Sequence, residues 1–218
     1  ELNCVVTGSW DKTLKYWDIR SSNQTPVHTQ MLPDRVYCMD VRSPLCVVGT
    51  ADKNVVIFDM RKPTVEHKRI ASPLKSQIRA IACFKDQTGF ALGGIEGKVA
   101  FHYIEDKNSL KNYTFKCHRD NNQIFAVNAI SVHPGFGTFS TAGSDGFFNF
   151  WDKDNRMRLK AFLKCPAPVS ATCWNLEGSL FAYALSYDWY QGIEGYNNAN
   201  TNRIFLHSTS DNEVRPKK

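Results

Sequence analysis

Long apolar runs are absent from this chain of 218 residues. No stretch approaches the roughly eighteen consecutive apolar residues that a membrane-spanning helix requires. No charged segment followed by an apolar one opens the chain, so we expect neither a membrane span nor a signal peptide. The chain starts at Glu1 rather than at a methionine and enters a strand-like run at once, which predicts a processed or incomplete N-terminus.

The cysteines lack the spacing of a structural framework. Seven are present, an odd number without a C-x-x-C pair, and this fits neither a disulfide framework nor a zinc module. Free thiols favour a reducing compartment, either the cytoplasm or the nucleus. The charge is also moderate, because 27 Lys and Arg against 21 Asp and Glu leave a net charge of +6. Its meaning depends on where the cations cluster.

Catalytic signatures are missing as well. The sequence has no G-x-S-x-G turn, no phosphate-cradling glycine loop and no spaced set of metal ligands. Cys117 and His118 are neighbours, so on a strand their side chains would point to opposite faces and could not act as nucleophile and base. We expect a protein that is not an enzyme, holds no cofactor and takes no small-molecule substrate.

What the sequence does contain is an internal repeat. Four segments align without gaps, and in each an acid precedes an aromatic position by six residues. With a fifth unit included, the acids recur at intervals of 41, 44, 49 and 43 residues. These intervals lie close to the roughly 40–45 residues of a four-stranded propeller blade. The acids and their aromatic positions are Asp11 with Trp17, Asp52 with Phe58, Glu96 with His102, and Asp145 with Trp151, and Asp188 is the acid of the fifth unit.

The repeat predicts an all-β WD-repeat β-propeller that occupies residues 1–218 as a single domain. Small residues before each acid allow a tight turn, and a carboxylate in a turn accepts backbone N–H groups. The strand pattern begins at the second strand of a blade and ends at the third, which gives three full blades and a partial blade at each end. Because a propeller leaves no sheet edge unpaired, we expect further blades beyond this sequence. Residues 214–218 are predicted to form a basic tail.

Several segments are more specific than a generic repeat. They lie at residues 7–15 (TGSWDKTLK), 72–75 (SPLK), 115–119 (FKCHR), 143–146 (GSDG), 150–154 (FWDKD) and 186–189 (SYDW). Together they resemble the Rae/Gle-type mRNA export factors, which are seven-bladed propellers of the nuclear pore. The resemblance covers essentially the whole chain, as blades three to seven of that family. The spindle-checkpoint propeller Bub is a nearby relative.

The resemblance implies a scaffold without an active site, placed in the nucleus and at the nuclear pore, with shuttling to the cytoplasm. It implies that the propeller binds a hairpin motif of an FG-repeat nucleoporin and also single-stranded RNA on a basic face, where viral proteins compete. It further implies a role in mitotic spindle assembly.

A basic cluster follows Trp151. Between Lys153 and Lys164 there are five cations and one acid, Asp154. Cations interleaved with exposed rings suit a nucleic-acid strand, because phosphates need cations and unpaired bases stack on rings. The alternative is a purely structural one, a solvated rim of lysines around a buried tryptophan.

The family resemblance implies which residues would form the binding slot. The residues that form this slot in the family match Phe115, Trp151, Lys153 and Arg156 here, and those at the border of the slot match Lys98 and Arg158. Lys98 stands where the family usually has an arginine, a change that keeps the charge but not the ability to bind two phosphate oxygens at once. A second basic group surrounds Phe115 and adds Arg119 to the predicted site; its members are Lys111, Lys116, His118 and Arg119.

A different function is indicated by two short motifs. Trp17-Asp18-Ile19-Arg20 is echoed by Phe58-Asp59-Met60-Arg61. The W-D-x-R pattern resembles the docking box of substrate receptors for cullin-type ubiquitin ligases, although such an arginine often pairs with a neighbouring acid. A ubiquitin-ligase adaptor and a Bub-like checkpoint adaptor are therefore the alternatives to an export factor. The polar loop at residues 190–202 is longer than a usual hairpin connection, and we expect it to contact a partner.

Overall fold

The computed structural model describes residues 4–22, 25–196 and 202–217. Within these ranges the chain forms twenty β-strands, two 3₁₀ helices at Asp106–Lys111 and Gly192–Gly195, and one α-helix, α1, at Asp211–Val214. No helix in the described ranges is long and apolar enough to cross a membrane.

Eighteen of the strands form five antiparallel sheets, which we call blades I to V in chain order, and the other two form a short hairpin. Blade I contains β1 (Val5–Gly8), β2 (Thr13–Trp17) and β3 (His28–Met31). Blade II contains β4 (Val36–Arg42), β5 (Leu45–Thr50), β6 (Asn54–Asp59) and β7 (Glu66–Ala71). Blade III contains β8 (Ile78–Cys83), β9 (Gly89–Gly94), β10 (Lys98–Tyr103) and β11 (Tyr113–Lys116).

A two-stranded hairpin, β12 (Arg119–Asp120) and β13 (Gln123–Ile124), separates blade III from blade IV. Blade IV contains β14 (Val127–Val132), β15 (Phe139–Gly143), β16 (Phe148–Asp152) and β17 (Met157–Ala161). Blade V contains β18 (Val169–Trp174), β19 (Leu180–Leu185) and β20 (Arg203–Ser208). The sequence did not predict the hairpin, which is short and has only polar residues in its turn.

The sheets are arranged as propeller blades. Each four-stranded blade is a simple up-and-down meander, and the first strands β4, β8, β14 and β18 contact one another in series. The WD-repeat propeller predicted from the sequence is confirmed. In the described residues, three blades have four strands and two have three. The total of seven blades stays a prediction.

The core lies between neighbouring blades. Blades III and IV meet through Phe84, Phe101 and Phe139, all at most 3% exposed. Blades IV and V meet through Phe150 and Phe181, whose ring centroids are 5.1 Å apart. Burial of large aromatic side chains supplies much of the stability of such an interface, at roughly 25 cal/mol per Å² of apolar surface. Of the repeat aromatics, Phe58 belongs to the core between blades I and II, and Trp151 packs against the core between blades III and IV.

The repeat acids close the turn between the second and third strands of a blade. The carboxylates of Asp11 and Asp145 accept the backbone N–H two residues later, at 3.0 and 3.1 Å. The residue that follows each acid has a positive φ, 65° at Lys12 and 80° at Gly146. Glycine adopts this left-handed conformation without a steric penalty. The sequence had predicted turns at these acids, and the hydrogen bonds explain why an acid occupies that position.

Candidate nucleic-acid interface

A buried chain of hydrogen bonds crosses blade IV. His118 Nδ1 lies 2.9 Å from Asp145 Oδ1, and His118 Nε2 lies 2.9 Å from Thr141 Oγ1. The Trp151 indole N–H donates to the same Thr141 oxygen at 2.9 Å. Because a carboxylate only accepts, His118 Nδ1 carries a proton and donates it to Asp145, and the Thr141 hydroxyl can then donate to Nε2. This pattern assigns the imidazole proton to Nδ1, where it is donated to Asp145.

This network fixes the orientation of the Trp151 ring and removes His118 from the predicted basic group. The His118 side chain is fully buried and the Asp145 side chain is 7% exposed. The sequence-based grouping of His118 with the cations around Phe115 is therefore wrong, because its ring nitrogens are used inside the blade. Buried polar groups that are all hydrogen-bonded specify one packing arrangement.

Trp151 forms one wall of an aromatic cavity between blades III and IV. The ring centroids of Trp151 and Phe115 are 4.9 Å apart. Tyr113, two residues before Phe115 on β11, lies on the same side of the strand and stacks on Phe101 at 4.8 Å. The cavity has a volume of about 220 Å³. It is lined by Tyr113, Phe115, Phe139, Trp151, Arg156 and Met157.

A polar cavity of about 420 Å³ adjoins the aromatic one. It is lined by Asp86, Tyr103, Lys111, Tyr113, Lys153 and Arg156, among others. Tyr113 and Arg156 line both cavities. We call the two cavities together the slot. Its geometry places stacking surfaces and ammonium or guanidinium groups side by side.

Arg156 lies at the junction of the two cavities. Its guanidinium lies 4.4 Å from the centre of the Tyr113 ring, a cation–π contact. No carboxylate of the described residues lies within 4 Å of Arg156. Arg158 extends the basic surface, because its guanidinium lies 5.9 Å from the centre of the Trp151 ring. Both arginines are exposed, so their N–H donors are available to a ligand.

Lys153 occupies a more protected position than its neighbours. Its side chain is 12% exposed, and its ammonium lies 2.7 Å from Asp154 and 5.3 Å from the centre of the Phe84 ring. Burial alone would lower the pKa of Lys153, but the hydrogen bond and the charge of Asp154 outweigh it, so the pKa is raised. Lys153 is therefore a cation whose charge is partly neutralised in the free protein.

The turn that carries these cations is held rigidly. Asp152 accepts the backbone N–H groups of Asp154 and Asn155, at 2.9 and 3.1 Å. The Tyr113 hydroxyl donates to the Lys153 carbonyl at 2.8 Å and so ties the turn to blade III. The sequence-based prediction missed Tyr113. The two-residue spacing from Phe115 on one strand could have identified it.

A β-bulge divides the cations of β17 between two sides of blade IV. Arg158 pairs with Trp151, whereas Lys160 pairs with Phe150, so an extra residue lies between the two pairs. Arg158 therefore shares the Trp151 side, toward blade III. Lys160 shares the Phe150 side, toward blade V, where its ammonium lies 3.6 Å from Glu213.

Lys98 and Arg119 belong to a different corner of blade III. The Lys98 ammonium pairs with the Glu96 carboxylate at 2.7 Å. The Arg119 guanidinium donates to the Glu96 carbonyl at 2.8 Å. Neither residue lines the slot. Of the seven predicted residues, Phe115, Trp151, Lys153 and Arg156 line the slot, and Arg158 lies beside it against the Trp151 ring.

The two W-D-x-R-like turns share one geometry. Arg20 contacts both oxygens of Asp18, at 3.1 and 3.2 Å, and Arg61 contacts both oxygens of Asp59. The arginine side chains are 68% and 76% exposed. The Trp17 indole N–H donates to Thr7 Oγ1 at 2.8 Å. Pairing with the neighbouring acid, the alternative considered from the sequence, is what both arginines do.

An exposed aromatic cluster lies near the turn of Asp145. It consists of Tyr187, Trp189, Tyr190 and Tyr196, and we call it the aromatic face. Trp189 is 56% exposed and stacks on Tyr196 at 5.5 Å. Asp188 anchors it to blade IV by accepting the Asn128 amide at 2.8 Å and a hydrogen bond from Ser144. The predicted partner-binding loop at 190–202 falls partly here; its residues 197–201 lie outside the described residues.

Comparison with known sequences places these sites in context. The sequence model of the WD domain, G-beta repeat, matches residues 2–18 and 110–152. The chain is 53% identical over 195 residues to protein RAE1 of Arabidopsis thaliana, covering 89% of this chain and 56% of that protein. It is 46% identical over 218 residues to the poly(A)+ RNA export protein of Schizosaccharomyces pombe, covering 98% and 61%.

A vertebrate relative is covered more fully. The chain is 50% identical over 267 residues to the mRNA export factor of Pongo abelii, covering 98% of this chain and 72% of that protein. The chain spans about three fifths of the length of the plant and yeast proteins. The second segment matched by the WD sequence model contains Phe115, His118, Asp145 and Trp151.

Proposed function

We propose a function for this chain, which belongs to the Rae/Gle-type family of WD-repeat mRNA export factors. It acts in mRNA export as a non-catalytic scaffold and binds single-stranded RNA in the slot. The observation that carries the RNA proposal is Arg156. It is an exposed guanidinium without a carboxylate partner in the described part of the chain, held at the border between an aromatic and a cationic cavity.

The slot suits a nucleotide in both of its parts. An unpaired base fits against aromatic rings, and each stacked base contributes about 1–3 kcal/mol. Phosphates require cations, and Lys111, Lys153 and Arg156 line the polar cavity beside those rings. An arginine can bind two phosphate oxygens at once. Stacking on rings and pairing with phosphates do not depend on hydrogen bonds to the base edges, so we expect binding with little base preference.

The aromatic face supports a second part of the proposal, a protein partner. Exposed clusters of tryptophan and tyrosine are typical of protein interfaces, where they supply large contact areas. We propose that the hairpin motif of an FG-repeat nucleoporin binds here and places the protein at the nuclear pore. A mitotic spindle role and nuclear–cytoplasmic shuttling follow from the family resemblance alone.

The RNA proposal is tested by comparing two arginines. Arg156→Gln should weaken binding of a labelled twelve-nucleotide oligo-uridine about tenfold or more, because a charge-assisted hydrogen bond contributes roughly 1.5–3 kcal/mol. The dependence of log K on log salt should also become shallower by about 0.7 for each phosphate that the variant no longer neutralises. Fluorescence anisotropy at several salt concentrations measures both quantities in the intact protein.

Arg61→Gln is the matched control, because Arg61 is equally exposed but paired with Asp59. It should leave both the affinity and the salt dependence unchanged. Equal losses of affinity from the two substitutions, with unchanged melting temperatures, would refute an RNA site at the slot.

The ligase-adaptor alternative is favoured by one observation, the repetition of the same exposed Asp–Arg geometry in blades I and II. Co-purification with the propeller linker of a cullin-type ligase, abolished by Arg20→Ala with Arg61→Ala, would support it. A Bub-like adaptor predicts instead co-purification with a checkpoint kinase peptide and not with an FG-nucleoporin fragment.

A further inference from the structure

The C-terminal segment, residues 211–217, crosses from blade V to blade IV and is firmly docked. Val214 is 2% exposed, and its carbonyl accepts the Thr138 hydroxyl at 2.8 Å. Helix α1 contacts β16 and β17 of blade IV. Ser210 and Glu213 close the start of α1 as a capping box. A tail held by this many contacts has one defined path over the surface.

That path ends beside the slot. The Asn155 side-chain amide donates to the Lys217 carbonyl at 2.9 Å and to Asp152 at 2.8 Å. Asn155 directly precedes Arg156 in the turn between β16 and β17. The backbone of Lys217 is therefore fixed to the same turn that presents the central cation of the slot.

The charges of the segment leave Lys217 available. Asp211 is paired with Arg215 at 2.6 Å, and Glu213 is paired with Lys160 at 3.6 Å and hydrogen-bonded to His207 at 2.9 Å. Lys217 is exposed, and no carboxylate of the described residues lies within 4 Å of its ammonium. Both acids of the segment are thus neutralised by partners, and the exposed end of the segment is cationic.

We propose that the C-terminal segment is part of the RNA-binding surface, with Lys217 contacting the phosphate backbone of a strand that leaves the slot. Asn155 is the positioning residue, since it holds the end of the segment against the turn. This inference rests on the proposed function of the slot and extends it to a longer stretch of RNA. Residue 218 of the predicted basic tail lies outside the described residues.

Oligonucleotide length separates the slot from the segment. We expect a two-nucleotide oligo-uridine, which has a single linking phosphate, to fill only the slot, whereas a twelve-nucleotide one also reaches the segment. Lys217→Gln should weaken binding of the twelve-nucleotide oligomer about threefold at low salt and make its salt dependence shallower by about 0.7. It should leave binding of the two-nucleotide oligomer unchanged.

Lys62→Gln is the matched control. Lys62 is an exposed lysine in the turn between β6 and β7 of blade II, which corresponds to the turn of blade IV against which Lys217 is held. It should behave like the unmodified protein with both oligomers. Asn155→Ala changes no charged residue, but it should make the salt dependence shallower to the same extent as Lys217→Gln does. Reduced stability alone would not give this result. Thermal melting of each variant verifies folding.

The outcomes distinguish the two proposals. If Arg156→Gln weakens binding of both oligomers and Lys217→Gln weakens neither, the slot stands and the role of the segment is overturned. If the unmodified protein binds neither oligomer, the RNA site itself is refuted and the segment with it.

Discussion

The turns between the third and fourth strands of blades II and IV begin alike and end differently. Each starts with an aromatic residue and an aspartate, Phe58-Asp59 in blade II and Trp151-Asp152 in blade IV. In blade II the aspartate pairs with Arg61, two residues further on. In blade IV the aspartate caps the turn through backbone N–H groups, and Arg156, four residues further on, stacks on Tyr113 instead. In the described part of the chain, the paired arginine follows its aspartate by two residues and the unpaired arginine by four, so the spacing within the turn distinguishes them.

The interiors below these turns differ in the same two positions. Thr141 and Trp151 lie four residues before and six after the repeat acid of blade IV, and they share a hydrogen bond. Val48 and Phe58 occupy these positions in blade II, and both are fully buried or nearly so. Replacing both partners of a buried hydrogen bond by apolar groups is nearly neutral for stability. Blade IV therefore packs with a polar network and blade II without one. Of these two blades, only blade IV places an indole ring at the surface.

The grooves beside the two turns differ in the number of cations that line them and in how these are paired. The groove between blades II and III, about 370 Å³, is lined by Asp59, Asp86 and Glu105 together with Arg61 and His67. The slot between blades III and IV is lined by three cations and three carboxylates; Asp154 is paired with Lys153, and Asp152 accepts backbone N–H groups of its own turn. Within the described residues, the equivalent position in the fold therefore does not by itself produce a groove with an unpaired arginine.

The largest expected effect concerns the polar network. Asp145→Ala should lower the free energy of unfolding by about 3 kcal/mol, because it leaves a buried imidazole without its partner. Asp52→Ala, in the corresponding turn of blade II, should cost less than about 1 kcal/mol, since that acid is exposed. Urea unfolding followed by circular dichroism measures both. Equal costs would show that the two blades do not differ as described.

A smaller effect should follow from removing a negative charge from the slot. Asp154→Asn should increase the affinity for oligo-uridine about threefold at low salt, because Lys153 then keeps its full charge for phosphate. The gain should shrink as salt rises. Asp120→Asn, an exposed acid of the β12–β13 hairpin, is the control and should change nothing. An identical gain from both substitutions would indicate a general charge effect rather than a local one.

The smallest effect concerns the pairing in blade II. The hydrogen bonds from the Arg61 side chain and backbone lower the pKa of Asp59 to about 2, from an ordinary value of 3.8. Since this pKa is lower in the folded state, the pairing stabilises the fold at neutral pH, and this stabilisation disappears as the pH falls from about 4 toward 2. Arg61 is exposed and Asp59 is partly exposed, so the contribution to stability is slight.

Carboxyl NMR titration measures this pairing directly. Arg61→Gln should return the midpoint of Asp59 toward its ordinary value, and Arg20→Gln should leave it unchanged. A midpoint near 2 in the Arg61→Gln variant would assign the shift to the turn backbone instead.

Much of the fold could be predicted because the repeat is local and periodic. The sequence patterns at residues 37–41, 78–84, 126–132, 169–174 and 204–207 predict strands, and these segments correspond to β4, β8, β14, β18 and β20 within one or two residues. The alternation of apolar residues and the turn acids determine such strands without tertiary information. The hairpin after β11 and the docking of α1 depend on long-range contacts, and the sequence did not reveal them.

The candidate site was harder to predict because its members depend on pairing and register. Lys98 and Arg119 read as cations in the sequence, but Glu96 engages both. Simple alternation would place Arg158 and Lys160 on one face of β17, and the bulge puts them on opposite faces. Whether Lys98 and Arg119 contribute to binding stays a prediction. The sequence did contain a sign of the buried network that holds His118. A threonine lies four residues before the repeat acid in both blade IV (Thr141) and blade I (Thr7). Each makes a hydrogen bond inside its blade, Thr141 with His118 and Thr7 with Trp17.

The fixed indole of Trp151 has a spectroscopic consequence. Its N–H is bound inside the blade while its ring borders the slot, so its fluorescence should respond to whatever displaces water there. Trp10 and Trp189, 66% and 56% exposed, dominate the red edge of the emission and would obscure that response. With both replaced by phenylalanine, Trp17 and Trp174 remain as emitters that do not line the slot, so a change of emission on binding reports the occupancy of the slot, and binding can be followed without a label on either molecule.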